Sequence, residues 1–155
     1  MFKVLLTLLL FMGQSHAVVA NNIIGSWYSS LRTLNNGTET IEKENLTFHS
    51  NNTFMLVLLV SLKKDLSYVK DLRIEVAGNW EAKGNALIYT INSVNVPSAK
   101  DVYGISKQSL DNLAEKFKYK WVSDKIHIYK IISLEPKKLS VRSEKGRTTN
   151  YKRQY

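Results

Sequence analysis

The chain has 155 residues, with 22 Lys and Arg against 13 Asp and Glu, and no cysteine. That length suits one domain with its own hydrophobic core, and the lack of Cys excludes disulfide staples and thiolate metal ligands. A formal net charge of +9 makes anions the natural partners of the surface.

Residues 1–20 read as a cleaved secretory signal. Lys3 supplies the positive n-region, and Val4 to Met12 is an apolar run broken only by Thr7. Small residues stand at two cut points, after Ala17 and after Ala20. The run is shorter than the roughly 20 residues that span a bilayer. Residues 21–155 are then expected to form a single exported domain. Small secreted animal domains usually carry disulfides, so a Cys-free chain points to a bacterial periplasmic or secreted protein.

From Ile23 to Leu34 the chain is rich in β-branched and aromatic residues, then meets the turn cluster Asn35-Asn36-Gly37. A second strand is expected over Glu39 to His49, with Leu46 and Phe48 on one face. A turn at Ser50-Asn51-Asn52 leads into Thr53 to Leu62, which is almost continuously apolar. Such a run suits a strand covered on both faces or lining a closed sheet. Lys63-Lys64-Asp65 breaks the pattern. From Ser67 alternation returns, with Leu72, Ile74 and Val76 opposed to Asp71, Arg73 and Glu75. Lys83-Gly84-Asn85 is a hairpin signal, and Ala86 to Val96 is a fifth strand ended by Pro97.

The period then changes. Leu110, Leu113, Ala114, Phe117 and Trp121 share one helical face. Ser106 or Ser109 suits the N-cap, with Asp111 in the first turn and Lys116, Lys118 and Lys120 toward the C-terminus. Strands resume over Lys125 to Leu134, Lys138 to Ser143 and Arg147 to Arg153. The expected fold class is mainly β: an antiparallel up-and-down meander of about eight strands, with one α-helix between strands five and six. Short links make neighbours antiparallel, and closure into a barrel removes the exposed edges.

Gly25-Ser26-Trp27, Gly78-Asn79-Trp80 and Tyr151-Lys152-Arg153 together resemble elements of lipocalin-like (calycin-type) domains of the small bacterial exported type. Gly25-Ser26-Trp27 is similar to the family's first-strand G-x-W. Gly78-Asn79-Trp80 and the following turn and apolar strand resemble a second such element. Tyr151-Lys152-Arg153 resembles the terminal aromatic-x-Arg. The resemblance implies a lipocalin-like barrel, with Trp27 packed at its floor under a late-strand arginine, Arg153 or Arg142. Gly25, Trp27, Trp80 and Arg153 are then structural positions.

No catalytic motif is evident. His49 and His127 are isolated, which argues against a metal site, and no nucleophile elbow or phosphate loop occurs. The expectation is a non-enzymatic protein without cofactors. Met55, Tyr89, Tyr119 and Trp121 are candidates either to fill the barrel or to line a cavity for a small apolar ligand or lipid, since an eight-strand barrel does one or the other. The stretch from Lys137 to Tyr155 holds seven basic residues and one acidic residue. Lys137, Lys138, Arg142, Arg147 and Lys152 are candidates for contact with an anionic membrane surface or glycan, or else form a solvated outer face. Nothing matches a nucleic-acid module.

Overall fold

The computed structural model describes residues 20–97 and 99–155; the expected signal segment lies outside them except for Ala20, so the cut point after Ala17 is outside and the one after Ala20 falls at the start of the described residues. A helical turn, α1, covers residues 20–23. The strands are β1 (Gly25–Asn35), β2 (Thr38–Phe48), β3 (Thr53–Lys64), β4 (Ser67–Lys83), β5 (Ala86–Asn95), β6 (Asp101–Tyr103), β7 (Ile126–Glu135), β8 (Lys138–Ser143) and β9 (Thr148–Gln154). Helix α2 (Lys107–Val122) lies between β6 and β7.

Eight strands close an antiparallel barrel in the order β1-β2-β3-β4-β5-β7-β8-β9, with β9 returning to β1. Turn chemistry sets the first registers. Asn36 and Gly37 both take positive φ, 49° and 74°, the conformation that matches a tight hairpin to strand twist. The ladder they launch runs unbroken from Asn35↔Thr38 to Gly25↔Phe48.

The interior follows the period of two. Phe54, Leu56, Leu58 and Val60 on β3 are buried, as are Leu72, Ile74 and Val76 on β4, and Leu87, Tyr89 and Ile91 on β5. The apolar run of β3 is therefore covered on one face only, because Met55 between these lining residues is 48% exposed. Burial of this single cluster is the main stabilising term, at about 25 cal/mol for each Å² of apolar surface removed from water.

Two boundaries differ from expectation. Ile23 belongs to the helical turn rather than to β1, and it is fully buried under the barrel. The three-residue β6 follows Pro97, where no strand is expected from the sequence. It pairs with Tyr68–Lys70, the part of β4 that precedes its ladder with β5. Helix α2 starts at Lys107 with Ser106 as N-cap, the Ser109 amide donating to the Ser106 hydroxyl at 3.1 Å. Asp111 therefore falls outside the first turn and instead pairs with Lys107 one turn back, at 3.2 Å. Leu110, Leu113, Ala114 and Phe117 pack against the core, and Trp121 is buried in it.

Candidate functional site

The two ends of the barrel differ in chemistry. At the α1 end, Trp27, Arg153 and Trp80 serve closure. The fully buried Trp27 donates its indole N–H to the Ile23 carbonyl at 2.8 Å. The Arg153 guanidinium lies over the indole, with Cζ 4.2 Å from the ring centroid. It also donates to the carbonyls of Pro136 and Ile24, each at 2.7 Å, and to that of Asn22. Gly25 makes room for it, since a Cβ there would stand 2.7 Å from Arg153 Nη1. Trp80, in the second G-x-W, donates from its ring to the His49 carbonyl at 3.1 Å and packs edge-on against Phe48. Arg142 takes no part, because alternation turns it outward toward the Thr148 hydroxyl at 3.3 Å.

The opposite end is polar and split. The β1–β9 ladder contains only Ser26↔Gln154, Trp27↔Arg153 and Tyr28↔Lys152, whereas β1 continues alongside β2 as far as Asn35. Beyond Tyr28 the two strands part, and a cleft of about 100 Å³ opens between them. Ser29 and Leu31 of β1, Glu42 and Glu44 of β2, and Arg147 and Thr149 line it. The carboxylates face inward because they continue the parity of Leu46 and Phe48 along β2.

This cleft holds an unusual set of partners for a barrel interior. Arg147 Nη2 lies 2.6 Å from Glu42 Oε2. The Tyr151 hydroxyl donates to Glu44 Oε2. Burial raises the Glu44 carboxyl above its ordinary range, against the opposing effects of the Tyr151 hydrogen bond and the Arg147 charge. Burial also raises the phenols of Tyr151 and Tyr89 well above 10.0, and that of Tyr129 to about 12, with the Glu44 charge adding to each. One carboxylate thus acts on three tyrosines across the same stretch of lumen. The Tyr89 and Tyr129 rings are 5.0 Å apart, and Tyr89 stacks on Phe54 at 4.7 Å, where the apolar filling begins.

The C-terminal end of α2 borders the same stretch. Lys120 adds its charge at Glu44 and lies 5.7 Å from the Trp121 ring. Trp121 packs against His127 with ring centroids 5.1 Å apart. Neither the Trp121 indole N–H nor His127 Nε2 has a hydrogen-bond partner, although both atoms are buried. Among the described residues these two atoms stay unpartnered, and a buried polar atom without a partner costs about 1–3 kcal/mol. His127 stands opposite Tyr89 in the β5–β7 ladder.

The residues anticipated as ligand contacts do not form one group. Tyr89 and Trp121 belong to the interior, but Met55 and Tyr119 lie on the outer surface, 48% and 72% exposed. Met55 alternates with buried Phe54 and Leu56, and Tyr119 is off the packed stripe of α2. Of the anticipated basic contacts, Lys138, Arg142 and Lys152 are on the exposed outer face and Lys137 is in the β7–β8 turn, also exposed. Arg147 is exposed as well, and its guanidinium is ion-paired with Glu42 at the cleft. Glu42 and Glu44 were not anticipated, although extending the Leu46–Phe48 parity back along β2 points to both.

Among the described residues, no group of three or more His, Asp and Glu side chains could hold a metal ion. The chain matches no family model, and a search of curated proteins finds no relative for it.

Proposed function

We propose that this protein is an exported, non-enzymatic barrel of lipocalin-like type that binds a small, largely apolar molecule at its split end. The observation that carries the reading is the early end of the β1–β9 ladder at Tyr28↔Lys152. It opens the lumen beside hydrogen-bonding groups that an interior built only for stability would replace by apolar ones. Ligand sites commonly combine an apolar wall with a few placed polar groups. Here Leu31 supplies the apolar wall, and Ser29, Glu42, Glu44, Arg147 and Thr149 supply the polar groups, with Tyr151 donating to Glu44 from the core. The Arg153–Trp27 closure at the other end supports the lipocalin-like reading, as do the two G-x-W elements.

The test is titration of the protein with an apolar fluorescent probe, followed by Trp emission. Saturable one-to-one binding with a change in Trp emission is expected. Native mass spectrometry of protein purified without denaturant should show a retained small molecule. Absence of both signals overturns the reading.

A second reading concerns the outer surface. Lys138 faces Lys152 across β8–β9, and Lys130 faces Arg142 across β7–β8. Like charges directly opposite each other destabilise a sheet, and none of the ion pairs among the described residues involves these four. An anionic membrane or glycan surface would relieve that repulsion. Adhesion to vesicles containing phosphatidylglycerol, weakening as salt rises, is the expected result. Equal adhesion to neutral vesicles would remove the electrostatic argument.

A further inference from the structure

We infer that the cleft between β1 and β9 takes the ammonium head of a small amphiphilic amine, with Glu44 as the receiving carboxylate. This rests on the ligand-binding reading and adds the chemical class of the ligand.

Charge bookkeeping inside the cleft comes first. It contains two carboxylates, Glu42 and Glu44, and one guanidinium, Arg147. Arg147 is committed to Glu42 at 2.6 Å. Glu44 has no ion-pair partner among the described residues and holds only the Tyr151 hydroxyl, through Oε2. Its second oxygen, Oε1, is left to accept from a ligand. The Arg147 and Lys120 charges act on Glu44 without an ion pair to it, and a cation delivered by a ligand would supply a directly bonded counter-charge.

Geometry supplies the second part. A space of about 100 Å³ suits a head of a few heavy atoms, not a whole lipid. Leu31, on the rim and 43% exposed, offers an apolar surface for the attached chain. The hydroxyl groups of Ser29 and Thr149 in the lining can accept from an ammonium N–H as well. An anionic head would meet Glu42 and Glu44, and a neutral alcohol would leave the Glu44 charge uncompensated. Burial of the carboxyl, which raises its proton affinity, points in the same direction. The charged and titratable groups facing Glu44 are Tyr151 and Arg147 from the β9 side, Glu42 on β2, Tyr89 on β5, Tyr129 on β7 and Lys120 on α2. Of these, Arg147 and Lys120 are cationic and disfavour a second cation; Arg147 is engaged by Glu42 at 2.6 Å, and Lys120 is not part of the cleft lining.

The test compares octylamine, 1-octanol and octanoate by calorimetric titration at pH 7, using the full mature protein and its Glu44→Gln variant. The wild-type protein is expected to bind octylamine at least tenfold more tightly than 1-octanol, and octanoate most weakly. Glu44→Gln should bring octylamine and 1-octanol to within about twofold of each other. Retained 1-octanol binding shows that the variant is folded and its apolar wall intact. Lys138→Gln, on the outer face, should leave the amine preference unchanged. The inference is overturned if 1-octanol matches octylamine in the wild-type protein, or if Glu44→Gln keeps the preference. If none of the three octyl compounds binds the wild-type protein, the ligand-binding reading falls as well, which separates the two failures.

Discussion

Arg153 covers the buried face of Trp27 across the seam that joins the last strand to the first, and its guanidinium N–H groups meet three backbone carbonyls from two separate segments. The pair therefore closes the barrel and caps its floor at once. Trp27→Ala should destabilise the fold by about 3–5 kcal/mol, the usual range for emptying an aromatic core site. Arg153→Ala should cost about 1–3 kcal/mol, since the guanidinium hydrogen bonds are lost. In a double-mutant cycle the two should couple by about 0.5–2 kcal/mol. Urea denaturation measures all three quantities; additive effects would show that the stacking contributes nothing beyond the separate side chains.

Gly78 illustrates a different constraint in the second G-x-W element. A Cβ built there would lie 1.9 Å from the Thr90 carbonyl oxygen and 3.1 Å from the Phe54 ring. The β4–β5 register shifts at this point, between Ala77 and Gly78, so the backbones are already crowded. Gly78→Ala should cost more than 2 kcal/mol and perturb the Phe54–Tyr89 stack. Gly37→Ala meets no neighbouring atom within 4 Å and pays only for its φ of +74°. Its cost should be about 1 kcal/mol. The ranking of the two denaturation midpoints decides the matter.

Ser106 caps α2 by accepting from the Ser109 amide. Ser106→Ala should lower stability by about 1 kcal/mol, whereas Ser106→Asp should be neutral or stabilising, because a carboxylate suits a helix N-terminus. The readout is thermal unfolding together with amide exchange over Lys107–Leu110. An unchanged exchange pattern in Ser106→Ala would mean that packing against the barrel alone holds the first turn.

The meander was legible from the sequence because its hairpins are local. Asn36-Gly37 and Gly84 announce their turns, and alternation in β4 and β5 sorts lining from surface residues. Closure was legible only through Trp27 and Arg153, two residues far apart in sequence. The functional end was harder to read. Its form depends on where the β1–β9 ladder stops, and nothing local to either strand marks Tyr28 as the last paired residue. Glu42 and Glu44 are hard to place from the sequence because the inward parity of β2 is carried by just two apolar residues, Leu46 and Phe48. Met55 and Tyr119 show the reverse error: bulky apolar character was taken for interior position, although the period of two on β3 and the stripe of α2 place both outside.

Glu44 makes stability depend on pH with a definite sign. Its carboxyl titrates above the ordinary value of 4.5 because the folded protein buries it. The folded state then holds a proton more firmly than the unfolded chain does. Stability from this group is fully present below about pH 4.5. It is lost as pH rises through the raised folded value, beyond which the ionised carboxylate is a standing cost. Glu44→Gln keeps the shape and the Tyr151 contact but cannot ionise. The variant should therefore be more stable than the parent at pH 7, and the two should converge toward pH 4. Chemical denaturation at several pH values between 4 and 8 measures the difference. A parent protein that gains stability relative to Glu44→Gln as pH rises would show that the Tyr151 hydrogen bond and the Arg147 charge outweigh burial at this carboxylate.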